Sequence, residues 1–380
     1  MTEPATQAPQ LNPSDLANNE RAIAYYNEHG CDTVDKAFVL ANILHTDRCV
    51  AEAARVYHIG YELHSKSPHQ QPGQHILLHV SLLCQLKAGQ QPSQEDMDAL
   101  KGLSLPLYNY ILGIQTAWAS GDLVKAARIM GNCYDEFHTG EECDRLYLEV
   151  MNRLYREQMS NGVADPRLPN ALIPRKVYLY WDNETPDEVE RNFEYHRNLP
   201  GIEVKTFNQA EAAEWLYDVY GVEARSLFLS MRHPAEAADF LRAHVVQKLG
   251  GWWLDADIRI RSEDVLFNRL SQHHSHVFLL THDSVVHNDF FGSVANSPIL
   301  EDVLLSLYRN CYLFAGLYIP YKTGPGVFER ALNRTFHADF TRVRPIPSMM
   351  VYDHTVFADV IEELHVDYKF QGKSWHAVSN

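Results

Sequence analysis

The chain has 380 residues, 46% of them hydrophobic and 11% aromatic, which is enough apolar material for a substantial core and excludes a disordered or fibrous protein. Its formal net charge of −16 excludes broad electrostatic attraction to nucleic acid or to an anionic membrane, so neither is expected as a partner. At about 150 residues per domain, two domains are expected.

Residues 1–14 read as a flexible, polar leader. The opening MTEPATQAPQLNPSDL has no basic stretch followed by an apolar one, and the chain has no run of about 18 apolar residues. A cytoplasmic protein without a membrane span is the expectation, and a signal-less route out of the cell stays open. The six cysteines, at 31, 49, 84, 133, 143 and 311, form no CxxC pair and no regular framework, which predicts reduced thiols.

Residues 15–165 predict a helical domain. TVDKAFVLANILH, VAEAARVYHIGYELH, HILLHVSLLCQL and LVKAARIMGNCYDEF space their apolar residues at three and four, with Gly30, Gly60 and Gly121 as punctuation. VAEAARVY at 50–57 and LVKAARIM at 123–130 share a paired Ala-Ala-Arg, and small residues there let helices approach closely. WASGDLVKAA at 118–127 looks like the turn inside a tetratricopeptide unit, although the two copies are not an integral number of 34-residue repeats apart. A tetratricopeptide-like array and an ordinary helical bundle both fit, and either suits partner binding better than chemistry.

The pattern changes in NGVADPRLPNALIPRK at 161–176, where three prolines and a glycine mark a linker or a strand entry. KVYLYW predicts a buried strand ending at Trp181, a helix follows near Pro186, IEVKTF a second strand, and NQAEAAEWLYDVYG a second helix. Alternating strands and helices over 170–380 predict an α/β domain with a parallel, doubly wound sheet, whose ligands bind beyond the carboxyl ends of the strands.

HPAEAADFLRAHVVQKLGG at 233–251 predicts a helix with proline in its first turn and Gly250 at its stop. Asp239 and Arg242, three apart, share one face of it. The helix runs into GGWWLDADIRI, where alternation along a strand would place Asp255 and Asp257 on one face. Two carboxylates so close call for positive charge beside them, and a divalent cation, Mn²⁺ or Mg²⁺, is the candidate. A carboxylate accepts hydrogen bonds from two sugar hydroxyls and an arginine fork fits phosphate oxygens, so the set suits a nucleotide diphosphate sugar.

AADFLRAHVVQKLGGWWLDADIRI resembles the DXD signature of the family 32 glycosyltransferases and the related large clostridial toxin glucosyltransferases. Asp239, Arg242, Asp255 and Asp257 stand in register with the family pattern, with Trp253 in place of its usual tyrosine. RKVYLYW resembles the family's first strand, which implies Trp181 as the platform for the nucleotide base. The family's Ile-Gly-Gly continuation is here Asp182-Asn183-Glu184. HNDFFGSVANSPIL makes Asn288 a donor-binding candidate, TGPGVFERAL at 323–332 matches the Thr-Gly-Pro segment, and GKSWH makes Ser374 and Trp375 candidates for closing over metal and diphosphate.

The resemblance implies a glycosyltransferase A (GT-A) fold, an α/β sandwich around a mixed sheet. It also implies metal-dependent transfer of a sugar, with retention, from a nucleotide diphosphate sugar, UDP favoured. Asp257 would bind the metal directly, Asp255 the donor hydroxyls and the metal through water, and Ser374 the metal; Arg242 and Asp239 would orient the donor. The acceptor is a protein held by the helical domain, a saccharide or a natural product. The alternative is a helical interaction protein whose transferase domain binds ligand without turnover, a reading that the substitutions after Trp181 keep open.

HHSH at 273–276, with His282 and His287 nearby, lacks the cysteine or paired glutamate of a zinc spacing and reads as a surface cluster. Asp353 and His354 precede a helical stretch and are further candidates for a metal or acceptor contact. Gly324 and Gly326 fit a tight turn at a helix start.

Overall fold

In the computed structural model, which describes residues 11–66, 71–160, 171–182, 184–270, 273–344, 346 and 348–366, contacts divide the chain between Cys133 and Tyr134 into two units. Among the described residues the first unit contains only helices: α1 (Glu20–His29), α2 (Val34–Thr46), α3 (Val50–Lys66), α4 (Gln74–Lys87), α5 (Gln94–Leu103), α6 (Leu105–Ser120) and α7 (Leu123–Met130). Side chains of Asn19, Ser93 and Asp122 cap α1, α5 and α7 by accepting from the backbone N–H groups three residues on. Helices adjacent in sequence pack on each other, α2 on α3, α3 on α4 and α6 on α7. The paired alanines do what their size allows: Ala53, Ala54, Ala126 and Ala127 are all buried. Where α6 meets α7 the fit is so close that a Cβ on Gly113 would come within 2.2 Å of Met130 Cγ.

The second unit starts with α8 (Glu142–Ser160), which by spacing alone belongs with the seven helices before it. The structure instead groups it with the sheet, because Asp144 is buried against Arg330, with Nε 2.9 Å from Oδ1, and Asn333 donates to the same carboxylate at 2.9 Å. The division by contacts thus falls about thirty residues before the expected boundary near 165. After α8 come β1 (Lys176–Tyr180), α9 (Asp187–Arg197), β2 (Glu203–Phe207), α10 (Gln209–Tyr220), α11 (Val222–Leu229), α12 (Pro234–Leu249), β3 (Gly251–Leu254) and β4 (Ile258–Ile260). They are followed by β5 (His276–Leu279), β6 (Phe290–Ser293), α13 (Pro298–Leu313), α14 (Ile319–Lys322), α15 (Pro325–Phe340), β7 (Met349–Tyr352), α16 (His354–Val360) and β8 (Ile361–Glu363).

Six strands form one sheet in the order β2-β1-β3-β6-β5-β7. β1 runs parallel to both β2 and β3, and β5 parallel to β7, whereas β6 is antiparallel to its neighbours β3 and β5. The sheet is thus mixed, as the resemblance implied, and the parallel sheet expected from the strand–helix alternation fails at β6. β4 and β8 pair separately as an antiparallel ribbon.

Both faces are covered at β1, β3, β5 and β6, which is why these strands are mostly apolar, whereas the edge strand β2 alternates exposed with more buried positions. Val177, Leu179, Trp252, Leu254 and Phe290 join one core with Val189 and Phe193 of α9 and Phe357 of α16. Their neighbours in sequence point the other way: Tyr180 meets Phe228 of α11, and Phe291 packs edge-on to Phe328 of α15. The Gly250-Gly251 pair is required by the join from α12 to β3. Gly251 has φ +117°, and a Cβ there would lie 2.8 Å from the Lys176 carbonyl oxygen.

Candidate functional site

Because β1 and β3 are adjacent and parallel, Trp181 and Asp255 follow the carboxyl ends of neighbouring strands. That edge is where α/β sheets hold ligands. β3 stops at Leu254, so the two carboxylates do not sit on one strand face as alternation suggested. The Asp255 N–H donates to Asp289 O at 2.9 Å, Ile258 N–H donates back to Asp255 O at 3.3 Å, and Asp255, Ala256 and Asp257 form the turn into β4. Backbone reversal towards the β4–β8 ribbon, where Leu364 N–H donates to Asp257 O at 2.9 Å, replaces the strand continuation.

α12 supplies the cation. Arg242 is 3% exposed, and its Nη2 lies 3.0 Å from Asp255 Oδ1 and 3.2 Å from Asp239 Oδ1. The guanidinium sits 5.5 Å from the centroid of the Trp253 ring, and Trp253 Nε1 donates to Asp255 Oδ1 at 2.7 Å. Trp253 is therefore both a floor for the arginine and a donor to the aspartate. Asp239 is saturated: Oδ1 accepts from Asn288 Nδ2 at 2.8 Å and Oδ2 from Thr323 Oγ1 at 2.9 Å.

Acid outnumbers base here. Burial pushes the Asp239 carboxyl up to about 6, with Arg242 opposing the rise. Asp255 is driven well above the usual carboxylate range by burial, with Arg242 opposing and the charges of Asp257 and Asp289 adding to it. Asp289 falls below that range: burial works to raise it, but the hydrogen bond from His287 Nδ1, 2.8 Å from Oδ1, and the charges of His287 and Arg242 prevail. Asp255 and Asp289 keep 27% and 29% of their side chains exposed. Two carboxylates thus line the rim while the arginine below them is enclosed.

Asp239, Arg242, Asp255 and Asn288 meet in one network, and Asp257 follows two residues on in the turn. Trp181 packs half-buried against the sheet core, its Nε1 donating to Glu184 O at 3.1 Å. Ser374 and Trp375 lie outside the described residues. Asp353 caps α16 by accepting from Thr355 N–H at 3.0 Å, and His354 stacks on His282 with centroids 3.8 Å apart. The surface-cluster reading of the histidines fails in part. His276, on the interior strand β5, is 2% exposed with its pKa pushed down to about 4 by burial, and His287 is buried against Phe357 at a centroid distance of 3.7 Å.

Three contributors escaped sequence reasoning: Asp289, Thr323 and the Trp253 indole N–H. Each adjoins a residue or segment that was singled out, and an acid directly after Asn288 at the head of an aromatic strand is the signal that could have found Asp289.

Among the described residues, no group of three or more His, Cys, Asp or Glu side chains is arranged to hold a metal ion. The rim carboxylates do not fit a preformed all-protein cage. They fit an ion such as Mg²⁺ that takes one or two carboxylates and fills its shell with phosphate oxygens and water.

No protein-family model matches the chain, and no curated protein does. Among solved structures it is similar to one titled PaToxG Glycosyltransferase. The TM-score is 0.36 at 14% sequence identity, over 53% of this chain and 82% of that one. Among the described residues, no helix is long and apolar enough to cross a membrane.

Proposed function

We propose that the second unit is a GT-A-type glycosyltransferase domain that moves a sugar from a nucleotide diphosphate sugar, UDP favoured, to an acceptor, with retention at the anomeric carbon. The observation that carries this reading is Arg242 pinned between Asp239 and Asp255 at the carboxyl end of β3, under a rim of surplus carboxylate. A buried guanidinium held on two sides fixes Asp255 at the rim, so that carboxylate loses little freedom when it meets a sugar hydroxyl or a metal ion. The resemblance of the DXD segment to family 32 enzymes supports the same reading.

In this account Asp257 and the Asp255 rim hold a Mn²⁺ or Mg²⁺ ion, whose chemistry when bound is to neutralise the departing diphosphate. Asp255, fixed by Arg242 and the Trp253 indole, accepts hydrogen bonds from sugar or ribose hydroxyls. Asp239 and Asn288 hold Arg242 in place, and Trp181 stacks on the base. The helical unit recognises the acceptor, a protein being the reading its helix pairs favour. No carboxylate is nominated as a nucleophile.

The test is a panel of UDP-, GDP- and other nucleotide sugars, with and without Mn²⁺, read by thermal shift and by donor hydrolysis. One donor should give a metal-dependent shift and slow hydrolysis in the wild type. Silence across the whole panel, with acceptor-like peptides and saccharides added, would sink the reading.

A further inference from the structure

The two long sides of α13 differ in chemistry. Inward it buries Ile299, Leu300, Val303, Leu307 and Asn310. Outward it carries Glu301, Leu305, Arg309 and Tyr312, all exposed. At 3.6 residues per turn these four fall within one sector about 80° wide, so they form a single stripe along the helix. Leu305 is 65% exposed and Tyr312 55%, and Leu313 in the last turn beside them is 68% exposed. A lone exposed leucine is ordinary, whereas apolar side chains gathered on one helix face mark an interaction surface. The surface extends at its carboxyl end, where Tyr312 Oη donates to Glu223 Oε1 at 2.5 Å and so draws in the start of α11, whose Val222 is 67% exposed.

The charges on the stripe decide what covers it. Glu301 lies one turn before Leu305 and Arg309 one turn after, and among the described residues neither forms an ion pair; Arg309 only rests over the Phe314 ring, 5.8 Å from its centroid. Asp302, turned towards α15 on the same helix, is by contrast matched by Arg334 at 2.8 Å. The outward order is acid, leucine, base at equal spacing, which is complementary to itself read backwards. When a second α13 lies antiparallel on the first with the two-fold axis at Leu305, the two Leu305 side chains meet. Each Glu301 then faces Arg309 of the other copy, about 6 Å along the helix from the axis. A parallel arrangement would set Glu301 on Glu301 and Arg309 on Arg309.

We infer that the exposed face of α13 is an isologous interface whose occupant is the same face of a second copy of this chain, with Leu305 on the two-fold axis and reciprocal Glu301–Arg309 pairs on either side. The inference stands independently of the transferase reading, since no donor-site side chain lies on α13.

Analytical ultracentrifugation of the full chain across a range of about 1–200 μM tests it, because two facing helices make a contact at the small end of specific interfaces. Low salt keeps exposed charges from being screened. The wild type should pass from monomer to dimer. Glu301→Arg and Arg309→Glu each set like charges across both pairs and should each weaken the dimer about tenfold or more, as should Leu305→Asp, which puts two carboxylates on the axis. All three positions are exposed, and an unchanged thermal midpoint separates lost association from lost folding. Two results belong to the reciprocal pairing alone. The double variant Glu301→Arg/Arg309→Glu should dimerise within a few-fold of the wild type, and a mixture of the two single variants should form the heterodimer although neither associates by itself. A wild type that stays monomeric throughout, or a dimer indifferent to the single changes, would overturn the proposal. So would failure of both the double variant and the mixture to recover association, which would leave the stripe to a different protein.

Discussion

Arg242 and Arg330 belong to the same unit, are 3% and 1% exposed, and both pair with aspartate, yet their surroundings close differently. Around Arg330 both oxygens of the paired carboxylate are met from within the unit, although Asn333 Oδ1 is left without a hydrogen-bond partner. Its Nε and Nη2 form a fork on the two oxygens of Asp144 at 2.9 and 3.1 Å, Nη2 also donates to Phe137 O at 2.7 Å, and Gly140 N–H and Asn333 donate to the same carboxylate. Around Arg242 the acids exceed the bases, and two of them reach the rim. A buried ion pair whose carboxylate is fully met from within ties elements together; one with surplus charge facing outward is set up to receive something. Burial of an arginine does not by itself separate scaffold from site, whereas the balance of charge around it does.

The largest expected effect breaks the closed side of that comparison. Arg330→Ala leaves Asp144 buried and unpaired and should cost about 3–5 kcal/mol of stability, read as a lowered urea midpoint. The matched change on the open side, Asp257→Asn, should leave the urea midpoint nearly unchanged while lowering metal-dependent turnover about a hundredfold or more, as loss of one strong electrostatic stabiliser does. If the two variants exchanged phenotypes, the division into scaffold and site would be wrong.

Histidines sharpen the same contrast through pH. His196 and His244 are fully buried, and burial lowers their pKa to about 4. His196 is held neutral by geometry, since Ile260 N–H donates to Nε2 at 3.2 Å while Nδ1 contacts Asn192 O at 2.8 Å. A folded pKa below the unfolded value of about 6.5 means that the unfolded chain binds the proton first. Stability is therefore full above about pH 6.5 and falls as pH drops towards 4, by up to about 3 kcal/mol per histidine. Denaturation at pH 7 and pH 4.5 should show the loss, and His244→Asn or His196→Asn should reduce it in any variant that folds. A smaller effect, about 1–3 kcal/mol on donor affinity with little change in stability, is expected for Trp181→Ala if the ring stacks on a base. Loss of folding instead would assign Trp181 to the core against which it packs.

The elements around the site were legible wherever local chemistry sets them. Pro234 and Gly250 bracket α12 as read from the sequence, and the segments at 176–180 and 203–207 are strands. The Asp239–Arg242 spacing does place both side chains on one buried face. What escaped depended on partners distant in the chain. α8 has the same spacing as the helices of the first unit, and only Arg330, 186 residues away, draws it to the sheet. Antiparallel β6 pairs with β3 across about forty residues, so the alternating strand–helix pattern could not reveal its direction. The turn after Leu254 was hidden because Asp255, Ala256 and Asp257 read equally well as strand or turn until β8 supplies the pairing for β4.

The central claim is that the rim carboxylate Asp255, with Asp257 in the turn after it, receives a divalent cation together with a diphosphate. Electron paramagnetic resonance of free Mn²⁺, titrated with protein in the presence and absence of UDP, measures that directly. The account predicts Mn²⁺ uptake that UDP strengthens in the wild type and that is at least tenfold weaker in Asp257→Asn. Equal uptake in wild type and Asp257→Asn, or none in either with UDP present, would contradict it.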